Sequence, residues 1–231
     1  MKKKTFLALC GALLALTLAA TPVALAGSTA PVTLRVEGLN RTLLMPTAVK
    51  THSGSLTRFG APSGKCPDAS AAGALDTATH HNWKATYESS FSDYEITSIL
   101  GETHTFSSKD FWEIFVNNAV AQTGACEIKL RPGDQVVFAA VPDKGTEYPL
   151  VLTAPHTATV GHVFTVKVVY FVKQHVSHPL AGVRVSGNGV SAATTNSRGE
   201  AKLHSLKAGR LILHATHADF VRSAPVSVSV S

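Results

Sequence analysis

Beyond Ala26 the sequence has no apolar run of membrane-spanning length, so no bilayer-crossing helix is expected in its main body. Basic residues never cluster there. The tightest groupings are close pairs such as Lys129 and Arg131, whereas a nucleic-acid surface needs a basic stripe, so nucleic acid is excluded as a partner. Three common enzyme signatures are missing: the Gly-x-Ser-x-Gly nucleophile elbow, His-Glu-x-x-His and a phosphate loop. Cysteine is scarce, with three in 231 residues, and none forms a Cys-x-x-Cys pair or stands beside a histidine that could activate it.

What is present begins with a leader. Met1-Lys2-Lys3-Lys4 supplies a positive start, residues 5–20 carry no charge, and Pro22 is followed by Val23-Ala24-Leu25-Ala26. Small residues at Ala24 and Ala26 fit cleavage before Gly27, so residues 1–26 read as a signal peptide and the protein as secreted or cell wall associated. The rival reading is a retained anchor, because the apolar stretch is nearly long enough to span. A lipidated Cys10 does not fit, since Leu9 is too large for the preceding position. Of 21 Lys and Arg, three leave with the leader, so 18 stand against 15 acidic residues, a weak positive balance.

Cys66 and Cys126 survive processing, and an exported pair is read as a disulfide. It would close a loop of about sixty residues and stabilise by roughly 4 kcal/mol at most on the loop-entropy model. A nucleophilic thiol or a metal-ligand pair is the alternative.

Val32, Leu34 and Val36 alternate with Thr33, Arg35 and Glu37, a half-buried strand, and Thr42–Lys50 completes a hairpin. Asp68 or Ser70 can cap a short helix with a face of Ala71, Ala74, Leu75 and Ala78. Strands follow at 95–100, 103–106, 111–117 and 135–141, an α+β pattern. Polar, turn-rich residues 142–146 mark a boundary, with a linker over 143–147 and two units expected to unfold separately. Beyond it about seven short strands, at 149–154, 163–171, 183–186, 191–195, 200–204, 210–216 and 226–230, read as an all-β sandwich. Phe164, Val166, Val168 and Tyr170 would face inward.

The segments Val32-Thr33-Leu34-Arg35-Val36-Glu37-Gly38, Ser70-Ala71-Ala72-Gly73-Ala74-Leu75-Asp76, Phe111-Trp112-Glu113-Ile114-Phe115-Val116-Asn117-Asn118 and Leu130-Arg131-Pro132-Gly133-Asp134 resemble the transcobalamin C-terminal-like family of extracytoplasmic domains. That resemblance implies a β-grasp-like domain over residues 31–142. Asn118 stands where the family carries glycine, a substitution that asparagine's tolerance of positive φ allows. Residues 148–231 resemble Ig-like and carboxypeptidase-regulatory-like modules through Pro179-Leu180-Ala181-Gly182-Val183-Arg184-Val185, Thr194-Thr195-Asn196-Ser197-Arg198-Gly199-Glu200-Ala201 and Ala208-Gly209-Arg210-Leu211. Such modules imply a spacer or adhesion element, and fold alone transfers no function.

Eleven histidines invite a metal reading, with His175/His178 and His214/His217 as the apparent pairs. Residues three apart on a strand point to opposite faces, so surface histidines are expected and no metal or other cofactor is assigned. The run 81–94 holds Trp83, Tyr87, Phe91 and Tyr94 within what reads as a polar loop. Exposed aromatic faces stack on sugars and planar ligands, which makes these four the candidate ligand-binding residues, unless Trp83 and Tyr94 fill the core. Trp112, inside a strand, reads as core.

The sequence therefore points to an exported, non-catalytic binding or cell-surface module. Its partner would be a small molecule, a glycan or a surface protein. Capture of a corrinoid or other small ligand is the alternative that the resemblance implies, although the helical barrel that encloses cobalamin in transcobalamin is absent. A secreted hydrolase would need a convergent set of catalytic groups that the sequence does not display.

Overall fold

The computed structural model describes residues 29–143, 147–173 and 175–231. Residues 1–26, read as a signal peptide, the expected cleavage point before Gly27 and the middle of the expected linker lie outside the described residues. Most of the regular structure is β, in several sheets, with one α-helix among the described residues.

In the first half, a five-stranded sheet runs in the order Thr42–Lys50, Pro31–Glu37, Gln135–Pro142, Asp110–Val116, Ala119–Val120. Pro31–Glu37 and Gln135–Pro142 are parallel, with Leu34 opposite Val136 and Val36 opposite Phe138; the other pairings are antiparallel. The helix Ala71–Ala78 packs on one face, capped by the Ser70 hydroxyl, which accepts from the Gly73 amide. An Ser N-cap satisfies one of the otherwise orphaned first-turn N–H groups. Its small apolar face lets it lie against Leu34, Val36 and Phe138, all fully buried in the first core. The Val116–Ala119 turn places Asn117 at φ 51° and Asn118 at φ 67°. The Asn117 amide donates to Asp134, and its carbonyl accepts from the Gln135 N–H, so the two turns next to these strands are tied together.

A three-stranded antiparallel sheet, Trp83–Glu88, Asp93–Ile99 and Glu102–Thr103, covers the helix side. The run 81–94 is thus a hairpin rather than a polar loop. Alternation decides it, because Trp83, Ala85 and Tyr87 face the core while Lys84 and Thr86 face water. Cys66 and Cys126 are disulfide-bonded and buried.

In the second half two sheets enclose one core. Phe164–Lys173 pairs with Val151–Thr153, Val176–Pro179 and Glu200–Leu203 in one of them. The other runs Thr157–Ala158, Val226–Val230, Gly209–Thr216, Arg184–Gly187, Val190–Thr194. Phe164, Val166 and Val168 point inward onto Val185, Leu203 and Leu213, with Tyr170 only half-buried.

The two halves meet on the far face of the first sheet. Phe115, Val137, Ala139 and Val141 form a third cluster with Val221. Because both faces of Gln135–Pro142 are covered, its residues 136–141 are all buried, the near-continuous apolar run expected of a central strand. Beside this cluster Glu37, with its side chain 2 % exposed, accepts from Arg35 Nη1 and Arg222 Nη1, each at 2.6 Å. Arg35 also donates to the Arg222 carbonyl at 2.8 Å.

Candidate functional site

Of the four aromatics in the hairpin, two are structural in their placement. Trp83 is 3 % exposed and its Nε1 donates to Asp76 Oδ1 at 2.6 Å. Tyr94 is buried with its ring edge-on to Trp83 at 5.3 Å, and its hydroxyl donates to the Arg58 carbonyl at 2.8 Å. Burial, with the Asp76 charge adding to it, pushes the Tyr94 phenol up to about 12. Tyr87 is half-buried and edge-on to Tyr94 at 5.6 Å. Phe91, at the hairpin turn, is 77 % exposed. Asp76 organises the buried part of this cluster: its carboxylate also accepts from Arg58 Nη1 at 2.5 Å and faces His81 Nδ1 at 2.7 Å.

The exposed aromatic face belongs to a groove that crosses from the hairpin to the Asp110–Val116 strand. Its outer part, about 650 Å³, is lined by Glu88, Phe91, Asp93, Tyr94, Glu95 and Phe106, with Gly124 and Glu127 opposite. Phe106 is 68 % exposed and stacks on Phe111 at 5.5 Å. An inner cleft of about 170 Å³ shares Tyr94, Phe106, Thr123 and Gly124 with the outer part and continues to Ile96, Trp112 and Ile114. Among the described residues no charged nitrogen lines either part; the charged residues there are Asp and Glu.

The floor is rigidly built. Asp93 accepts from the Tyr94 and Cys126 amides, at 2.7 Å and at 3.0 and 3.1 Å, so the carboxylate is tied directly to the disulfide. Burial nevertheless holds the Asp93 carboxyl above the ordinary aspartate value, with these N–H groups opposing the shift. Gly124 lies against it, and a Cβ there would collide with the Asp93 carboxylate. Trp112 is 6 % exposed, and its Nε1 has no hydrogen-bond partner. A buried donor left unpaired is costly, and this one is shielded beside the cleft that the Trp112 ring lines. Of the Asp110–Val116 strand, only Phe115 and Val116 pair with Ala119–Val120; among the described residues no strand covers the edge from Asp110 to Glu113, where the cleft opens.

The histidine pairs do not converge. His178 lies in the Val176–Pro179 strand with its ring tilted over Tyr170 at 5.4 Å, and His214 faces Ser186 across the neighbouring strand. His104 is the most enclosed of the histidines, between Glu102 and Asp110 and edge-on to Trp112. Among the described residues no group of three or more His, Cys, Asp or Glu could hold a metal ion, and no helix is long and apolar enough to cross a membrane.

Phe106, Phe111 and Gly124 were not legible as site residues. They lie outside the aromatic-rich run and come to it only through the packing of turns and of a second sheet against the hairpin. The one available signal was an aromatic at Phe106 in a polar stretch, Thr103-His104-Thr105-Phe106-Ser107-Ser108.

Residues 73–141 match the model of a protein family described as a domain of unknown function (DUF4430). No curated protein matches the chain.

Proposed function

We propose that this chain is an exported, non-catalytic binding module whose ligand site is the groove between Phe91 and Phe106. In this reading residues 31–142 form a β-grasp-like domain of transcobalamin C-terminal-like type, and residues 148–231 an Ig-like sandwich that serves as a spacer or adhesion element. The observation that carries the proposal is the groove itself: two exposed phenylalanines above a hydrogen-bonded floor, with the Trp112 ring in its inner wall. Sites for small ligands are concave, largely apolar and furnished with a few placed polar groups, and this groove has those properties. Each residue lining it falls within the matched stretch 73–141.

The reading moves the site within the hairpin rather than away from it. Phe91 remains, with the buried Tyr94 in the groove wall, Phe106 joins them, and Trp83 and Tyr87 support from behind. Mapping a library of small aromatic, glycosidic and amine compounds by amide chemical shifts tests it. Saturable changes should concentrate at Phe91, Phe106 and Gly124, and Phe91→Ala or Phe106→Ala should weaken the same compounds several-fold, since aromatic stacking is worth about 0.5–1.5 kcal/mol beyond area burial. Hits confined to the second half of the chain would refute it.

A further inference from the structure

We infer that the groove selects organic cations: a ligand with an ammonium group in the outer part and a ring-sized body in the inner cleft. The inference rests on the reading of the groove as a ligand site and names the chemistry of its occupant.

Charge gives the first half of the argument. Glu88, Asp93, Glu95 and Glu127 line the outer groove and, among the described residues, no Lys, Arg or His does, in a chain where basic residues outnumber acidic ones even without Lys2, Lys3 and Lys4. A cleft lined by one sign of charge between low-dielectric walls concentrates its field and gathers ions of the opposite sign. An anion would be repelled there. Two aromatic faces, Phe91 and Phe106, stand among these carboxylates. A ring face attracts a cation through its quadrupole, and aromatic faces with nearby carboxylates are the combination that recognises alkylated or primary ammonium groups. A bare metal ion is the poorer occupant, because among the described residues no set of ligands converges to hold one.

The inner cleft gives the second half. At about 170 Å³ it has the size of a cavity that accepts a benzene ring, about 150 Å³. Its walls are mostly apolar, with Ile96, Ile114, Ala121, Ala125 and the Trp112 ring among them and Thr123 and Glu113 at its polar part, so a ring-sized apolar group suits it. The cleft and the outer groove share Tyr94, Phe106 and Gly124, so one molecule can occupy both.

Three probes isolate the charge. Tyramine, tyrosol and 4-hydroxyphenylacetate share the ring and the phenolic oxygen and carry a positive, a neutral and a negative group respectively. Titrated into the protein and followed through the indole N–H signals, of which there are two, one assigned to Trp112 with Trp112→Phe, tyramine should shift the Trp112 signal saturably. Its affinity should exceed that of tyrosol at least tenfold, and 4-hydroxyphenylacetate should not saturate. The triple variant Glu88→Gln, Glu95→Gln, Glu127→Gln changes only half-buried or exposed side chains, so folding is not at stake, and it should bring tyramine down to the level of tyrosol. Equal or tighter binding of tyrosol, no saturable binding of tyramine, or unchanged tyramine affinity in the triple variant would each overturn the inference. Tyrosol binding that shifts Trp112 would leave the groove a ligand site and remove only its selectivity for cations. The broader reading fails separately, if the compound library maps elsewhere.

Discussion

Glu37 Oε2 and Arg222 Nη1 lie 2.6 Å apart, joining the first strand of the chain to a residue 185 positions later in the second half. Both are shielded, and a second guanidinium, Arg35, reaches Glu37 from the same strand. Burial lowers the Arg35 pKa and Glu37 opposes that shift, as expected of a charge held in low dielectric by its partner.

Breaking a buried pair by removing one partner costs about 3–5 kcal/mol, since a charge is left uncompensated. Arg222→Ala should cost about 3 kcal/mol, the lower end of that range, because Arg35 remains. Urea unfolding measures it, and a loss below about 1 kcal/mol would place the pair among ordinary surface bridges. The same interface bears on independent unfolding. A fragment ending at Asp143 exposes Val137, Ala139 and Val141 together with the Glu37 carboxylate, so it should melt well below the first half of the whole chain.

Trp83→Ala should cost about 3–5 kcal/mol, the usual range for losing a core tryptophan. Trp83→Phe keeps most of the ring but removes the donor to Asp76, and should cost about 1.5–3 kcal/mol, the worth of a hydrogen bond to a charged group. Thermal melts of both variants, with groove binding measured in parallel, check this. Weakened binding without a stability loss would return Trp83 to the ligand contacts.

Glu113 supplies a pH test. Burial holds its carboxyl above the ordinary 4.5, with the Ile114 amide opposing. The folded state therefore disfavours the charged form, so the cost is absent below the unfolded value, grows as pH rises past 4.5 and is complete above the folded value. Glu113→Gln should match the parent in acid and become the more stable of the two toward neutral pH. Melting curves across that window show it, and a constant offset between the proteins would contradict the assignment.

Much of the framework was legible from period and turn chemistry. The helix over Ala71–Ala78 follows from its apolar spacing and Ser70, and the long strands Thr42–Lys50, Gln135–Pro142 and Gly209–Thr216 stand close to where alternation put them. Short pairings such as Ser55–Leu56 with Cys66–Pro67, and Val176–Pro179, carry no period of their own and exist because a partner lies alongside. The 81–94 hairpin was obscured by its polar outer positions, although Trp83, Ala85 and Tyr87 hold the inward alternation. The groove was half legible: aromatic content drew attention to Phe91, whereas Phe106 and the unpaired Trp112 donor depend on contacts distant in sequence. Asp76 gave no sign of its role, since a lone acid in a helix tells nothing of the three donors gathered around it.

The parallel pairing of Leu34 with Val136 also fixes an order of events during folding. A chain emerging amino end first presents its opening strand roughly a hundred residues before the strand that must lie beside it, and such non-local closure is slow. Until Gln135–Pro142 arrives, Pro31–Glu37 has only its hairpin mate, and its apolar edge is open to other chains. When that strand does arrive, its second face stays bare until the segment around Val221 and Arg222 follows. The vulnerable interval in the life of this protein is thus the one between exposure of its opening hairpin and the docking of these later segments, and a chaperone that holds the hairpin would protect it then.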